Sequence, residues 1–227
     1  MMNLRCCDAK QLLQSFEDES VDLIITDPPY ESLEKHRKKG TTTRLKESKG
    51  SSNPWFEVVP NSYFEDFFSL AYQKLKQNSH LYFFCDQETM FAVKPMAEAA
   101  GFTFWKPIVW DKKKIGMGYH YRARYEFILF FEKGKRKLNN LSIPDVLEVP
   151  RIINGYPTEK PVELCEILIL QSSNEGDLVV DPFMGSGSCG LAAKRTNRHF
   201  IGSDTKEDAV NVSINRINEL VDIPKEM

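Results

Sequence analysis

Short apolar runs alternate with helix-period segments along almost the whole chain, and that alternation restricts the fold more than any other feature. "VDLIIT" (21–26) is continuous and rich in β-branched residues, the pattern of a strand buried on both faces. "HLYFFC" (80–85), "FTFWKPIVW" (102–110), "YEFILFF" (125–131), "DLVV" (177–180) and "HFIG" (199–202) read as further strands, and "LRCC" (4–7) as a short one. Between them lie helical patterns. "DAKQLLQSF" (8–16) is capped by Asp8, "YFEDFFSLAYQKL" (63–75) has helical periodicity, and a helix opened by Asp86 ends at Gly101 with Pro95 inside it. "PVELCEILILQ" (161–171) carries Pro161 in its first turn, and two more helices flank the last strand. Pro107 marks an edge or a bulge. The alternation predicts an α/β fold, Rossmann-like, with a mostly parallel sheet and helices on both faces. Ligands of such sheets bind beyond the carboxyl ends of the strands, where strand order switches.

Two strands end on unusual punctuation. After 21–26 the chain spells Asp27, Pro28, Pro29, Tyr30. The prolines fix two φ angles and remove two backbone donors, and Pro28 pushes Asp27 into an extended conformation. The product is a stiff turn that presents a carboxylate, bare carbonyls and one aromatic ring, suited either to plain chain reversal or to clamping a planar ligand. After 177–180 comes "DPFMGSGSCG" (181–190), with Gly185, Gly187 and Gly190 at G-x-G-x-x-G spacing and Asp204 after the next strand. That context predicts a nucleoside-type cofactor, with close backbone approach at the glycines and an acid for ribose hydroxyls. No G-x-x-x-x-G-K-[ST] is present. Asp181 ahead of the glycines would repel a pyrophosphate and accept from an ammonium, which favours S-adenosyl-L-methionine. A nicotinamide oxidoreductase remains the alternative reading of the same glycines.

The 227 residues are 41% apolar, enough for a full core. No stretch reaches the about 18 uninterrupted apolar residues of a membrane span. The opening "MMNLRCCDAK" lacks a signal-peptide pattern, so a cytoplasmic protein without membrane partners is expected. Five cysteines without C-x-x-C spacing and four scattered histidines argue against a metal site or a disulfide framework. Net charge is only −2 but unevenly spread. Residues 35–49 carry seven basic residues against one acidic, and 106–137 carry ten against three. Two basic segments on an acidic body predict a polyanion-binding face, with solvated loops as the plain alternative.

In combination and in order, these motifs resemble the amino-methyltransferases of DNA that use S-adenosyl-L-methionine. "DPPY" (27–30) matches the family's catalytic motif and "DPFMGSGS" (181–188) its cofactor motif; "YPTEKPVEL" (156–164) and "GMGYHYRARYEFILFFEKG" (116–134) resemble two other segments. The catalytic motif precedes the cofactor motif, as in the circularly permuted β group. The resemblance covers nearly the whole chain and implies one catalytic domain over 1–227, with a short target-recognition insertion at 133–155; the polar, Lys-rich stretch 31–61 reads from composition as a long basic loop that shares that recognition.

The resemblance also implies roles. Asp27 and the Pro28 carbonyl would accept from the exocyclic amine of a flipped base, with Pro29 stiffening the turn and Tyr30 stacking on the base. Asp181, Phe183, Gly185, Ser186 and Gly187 would line the cofactor pocket, together with Lys160 and Pro161. Asp204 would take the ribose hydroxyls, a place more often held by Glu in the family. Asp8 would lie near the cofactor adenine, although Cys7 stands where the family often has Gly. Lys35, Arg37, Lys38, Lys39, Arg44, Lys46, Tyr119 and Arg122 are the expected DNA contacts. The implied reaction is site-specific methylation of adenine N6 in double-stranded DNA, with cytosine N4 as the alternative. The resemblance leaves room for a homodimer and for a restriction endonuclease partner.

Overall fold

A computed structural model of the protein describes residues 1–32, 58–116, 120–153 and 158–219. In chain order its elements are β1 (Met2–Cys6), α1 (Ala9–Gln14), β2 (Val21–Thr26), α2 (Tyr63–Lys74), β3 (Leu75–Cys85), α3 (Gln87–Ala99), β4 (Thr103–Asp111), β5 (Tyr125–Lys133) and β6 (Val146–Glu148). They continue with α4 (Val162–Ser172), β7 (Leu178–Asp181), α5 (Ser188–Arg195), β8 (His199–Asp204) and α6 (Glu207–Glu219). The strands form one eight-stranded sheet in the order β1-β8-β7-β2-β3-β5-β4-β6. All pairings are parallel except those of β5, which runs against both β3 and β4.

The period-2 geometry of the strands divides the core into two halves. Along β2, Leu23 and Ile25 point to one face while Val21 and Ile24 point to the other. One half receives α4, α5 and α6 through residues such as Leu164, Leu168, Ala192 and Ile217. The other receives α1, α2 and α3 through Leu12, Phe64, Phe68 and Val93, and its centre is a cluster of edge-to-face rings, with Phe64 and Phe83 centroids 5.2 Å apart. This is the expected sheet covered on both faces.

Strand order reverses its direction of travel between β7 and β2. From β7 the chain moves outward to β8, and from β2 it moves the opposite way to β3. The two strands are parallel neighbours, with Leu23 beside Val179 and Ile24 beside Val180. The Asp27 turn and the glycine turn therefore leave the same edge of the sheet side by side, at the switch point where ligands bind in such folds.

Three local expectations need correction. The sequence pattern predicts no strand between those at 125–131 and 177–180, yet β6 lies there and pairs with Val109–Asp111 of β4. A three-residue strand with one buried side chain carries too little pattern to be seen in sequence. Strand β3 starts at Leu75, five residues early, because exposed Lys76, Gln77 and Asn78 conceal the extended chain. Pro161 is the N-cap of α4, with ψ 135°, not a first-turn residue. The Pro107 expectation holds. The β4–β5 register breaks between Phe104 and Lys106, and β6 covers the far side of β4 only from Val109.

Candidate active site

The carboxyl ends of neighbouring parallel strands each deliver an aspartate. In sheet order these are Asp8 after β1, Asp204 ending β8, Asp181 ending β7, Asp27 after β2 and Asp86 after β3. The first four line one cavity of about 470 Å³, together with Pro28, Pro29, Tyr30, Tyr63, Glu126, Lys160, Phe183, Gly185 and Ser186. Pro161 and Gly187 stand behind this lining, starting α4 and α5.

The Asp27–Tyr30 turn is pinned from outside. The Pro29 carbonyl accepts from Val59 N at 2.8 Å, and Tyr30 and Val59 form a parallel bridge. About a quarter (26%) of the Asp27 side chain is open, and it faces the cavity. Lys160 Nζ donates to Asp27 Oδ2 and lies 3.6 Å from Glu126 Oε2, while Lys112 Nζ donates to Glu126 Oε1. The Lys160 ammonium also lies 5.3 Å from the Phe84 ring centroid and 5.9 Å from that of Trp110. Burial works against the Lys160 charge, but Asp27 and Glu126 overcome it and raise its pKa. Glu126 is held low because Lys160 and Lys112 outweigh its burial. Asp27 goes the other way: burial lifts its pKa, Lys160 pulls it back, and the Glu126 charge lifts it again.

At the glycine turn, Gly185 has φ +48° and open space where a Cβ would stand, so the backbone presents a bare surface to the cavity. Its N–H donates to Asp204 Oδ2 at 3.2 Å. Ser213 Oγ on α6 donates to the Gly185 carbonyl at 2.7 Å. Arg216 donates to the Ser186 carbonyl and to Glu159, each at 2.6 Å, tying the turn to the segment that carries Lys160. Asp181 is 3% exposed and accepts from Phe183 N at 3.1 Å. Burial, aided by the charges of Asp27 and Asp204, pushes its pKa up to about 7. Beyond Asp204, Asp8 caps α1 and accepts from the Tyr63 hydroxyl at 2.8 Å, and the Tyr63 ring meets Phe183 edge-on at 6.3 Å. The buried Thr26 Oγ1 on the cavity wall has no hydrogen-bond partner among the described residues.

These features fit S-adenosyl-L-methionine. A buried carboxylate surrounded by like charge suits an ammonium, the bare Gly185 backbone admits close approach, Asp204 can accept from ribose hydroxyls, and Phe183 with Tyr63 offers an aromatic wall. Sequence reasoning missed Tyr63 and Glu126. Tyr63 hides in a helix that reads only as amphipathic. Glu126 had a signal: it is a lone acid one residue into the otherwise apolar run "YEFILFF".

The basic segments divide. Lys35, Arg37, Lys38, Lys39, Arg44, Lys46 and Tyr119 lie outside the described residues. Arg122 is exposed in the connection between β4 and β5. Much of the positive charge of 106–137 is already paired: Arg124 forks onto Asp111 at 2.6 and 2.7 Å, Lys106 meets Asp145 at 2.7 Å, and Lys112 holds Glu126. Arg124, which its charge alone offers as a phosphate ligand, is instead committed to Asp111.

Fold and site together set a cavity suited to a nucleoside cofactor beside the stiff Asp27–Tyr30 turn. The profile of the N6/N4 DNA methylase family matches residues 21–149 and 143–215, and the chain belongs to that family. Among its relatives, the Type II methyltransferase M.HpaI of Haemophilus parainfluenzae is 29% identical over 246 residues, covering 95% of this chain and 74% of that protein. The DNA adenine methyltransferase YhdJ of Escherichia coli (strain K12) is 26% identical over 250 residues, covering 93% and 81%. The crystal structure of the M1.HpyAVI–SAM complex superposes with a TM-score of 0.70 at 24% identity, over 95% of this chain and all (100%) of that one. Family membership makes the protein an S-adenosyl-L-methionine-dependent DNA methyltransferase, and it decides between the two cofactor readings of the glycine turn. No helix among the described residues is long and apolar enough to cross a membrane.

Proposed function

We propose that the protein methylates the exocyclic N6 amine of adenine at a specific site in double-stranded DNA, with the base turned out of the helix. The observation that carries this reading is the adjacency of the two turns at β2 and β7 around one cavity. S-Adenosyl-L-methionine supplies an electrophilic methyl group on a sulfonium.

An adenine amine is a poor nucleophile because its lone pair is delocalised into the ring. Two acceptors on its protons, Asp27 and the Pro28 carbonyl, favour a pyramidal nitrogen and release that pair. Two prolines and the Val59 contact keep the acceptors from relaxing, so little reorganisation is needed at the moment of reaction. Extrusion of the base costs a few kcal/mol, part of which stacking on Tyr30 returns. Asp181 would hold the ammonium end of the donor and Asp204 its ribose. The names of the Type II relatives support pairing with a restriction endonuclease of the same site, in the cytoplasm where that DNA lies.

The test is to incubate the protein with labelled S-adenosyl-L-methionine and unmethylated genomic DNA, digest to nucleosides and identify the labelled one by mass spectrometry. N6-methyladenine that vanishes in Asp27→Ala supports the reading. N4-methylcytosine would keep the mechanism and change the base, an outcome the same amine chemistry allows. No label in DNA would sink the reading.

A further inference from the structure

The acceptor carboxylate is not left alone in its cavity. Asp27 is tied to Lys160, Lys160 to Glu126, and Glu126 to Lys112, a chain of alternating charge that runs from the cavity wall toward the β4–β5 connection. Of the two cations in this chain Lys160 is the inner one: 11% of its side chain is exposed, against 22% for Lys112. A buried ammonium of this kind is stable only with its carboxylates in place, because an unpaired buried charge is costly. The family resemblance assigned Lys160 to the cofactor, yet its ammonium engages Asp27, the residue of the amine site.

We propose that Glu126 is a positioning residue for methyl transfer, holding Lys160 against Asp27 Oδ2 so that the carboxylate stays fixed, with its other oxygen, Oδ1, offered to the base amine. This rests on the adenine-methylation reading above. The step it serves balances simply. The N6 lone pair forms the new N–C bond while the methyl C–S bond breaks and its electron pair stays on sulfur. One N6 proton must then leave the nitrogen. Asp27 is the adjacent base, and it passes the proton on to water.

Glu126 and Lys160 pull the proton affinity of Asp27 in opposite directions. The groups bearing on it are Lys160 ahead of α4, Glu126 on β5, Lys112 after β4, Tyr30 in its own turn, Cys85 at the end of β3, and Asp181 at the end of β7, with Asp86 acting on Tyr30 and Cys85 beside it. Lys160 and Lys112 lower the affinity, while Glu126 raises it. Asp27 must be ionised to accept, so activity is lost as pH falls through its pKa. Removing the Glu126 charge should therefore move the acid limb of the rate profile to lower pH, and removing the Lys160 charge should move it to higher pH.

The experiment is the pH profile of kcat/KM for labelled methyl transfer to DNA by wild type, Glu126→Gln and Lys160→Gln, with thermal melts to confirm folding. The expected result is a plateau lowered about 10- to 10²-fold in both variants, through loss of geometry. Their acid limbs should be displaced in opposite directions by about one pH unit each. The KM for S-adenosyl-L-methionine should change less than kcat in Glu126→Gln. Should Glu126→Gln not fold, Lys112→Gln, nearer solvent, should move the acid limb upward as Lys160→Gln does. An active wild type whose variants keep the wild-type acid limb, or shift it in the same direction, overturns the inference while leaving the reaction intact. An inactive wild type overturns the reaction and the inference with it.

Discussion

Asp181 closes β7 with a carboxyl group whose pKa burial lifts to about 7, so near neutrality the empty site holds a mixture of charged and neutral forms. A cationic ligand favours the charged form and should expel the remaining proton on binding. Affinity for S-adenosyl-L-methionine is expected to rise as pH climbs through about 7, before the donor's own ammonium titrates at higher pH. Calorimetry in two buffers of different ionisation heat should show proton release, and Asp181→Asn should abolish both the release and the slope. The sign for stability is opposite. Between the ordinary carboxylate value and about 7 the native state binds more protons than the unfolded one, so the unliganded protein loses stability as pH rises through that window. Asp27 differs because its role is in the reaction. Asp27→Ala should cut methyl transfer by roughly 10²-fold or more while leaving cofactor affinity, read by S-adenosylhomocysteine titration, nearly unchanged.

At the scale of elements, α6 acts as a backstop for the glycine turn. Gly187 has φ +78°, and a Cβ added there would lie 2.8 Å from the Ser213 Cβ on α6. Gly187→Ala should therefore combine left-handed strain with a collision, lowering the melting temperature by roughly 3–8 °C. Arg216→Ala removes the clamp between the Ser186 carbonyl and Glu159, and should weaken S-adenosylhomocysteine binding about tenfold while changing the melting temperature little. The glycines were legible in sequence because only a turn demands them at that spacing between a strand and a helix. Their support was not legible. Ser213 and Arg216 sit on an amphipathic helix whose pattern shows which face is buried, not which loop it touches. Short β6 and the polar start of β3 escaped for the same kind of reason: a strand reveals itself by its side-chain pattern, and these segments have almost none.

For the whole molecule, parallel alternation, the two covered faces and the shared edge for both turns could be read from the chain, since each follows from local periodicity and from the geometry of crossover connections. The Asp27–Lys160–Glu126 cluster could not, because it joins three segments that no local pattern relates. Charge was legible only as a sum. Pairing inside the structure consumes much of the second basic segment, and among the described residues Arg122 is the one predicted DNA contact, an exposed cation. Arg122→Ala should reduce the slope of log affinity against log salt by about 0.9, the mark of one lost phosphate contact, without altering the methylated base.

The order of the sheet also sets a schedule. Strands β1 and β2 are made first, but β8 and β7 lie between them, and these come from the last quarter of the chain. While the protein is being synthesised, the ledge for the base can be complete and the donor's seat still absent. Until β7 and β8 emerge, β1 and β2 lack the neighbours that separate them in the finished sheet. A ribosome-bound fragment would then be a poor methylase and a good substrate for a chaperone. Activity would then await a late step, the insertion of the parallel β7–α5–β8 unit between β1 and β2.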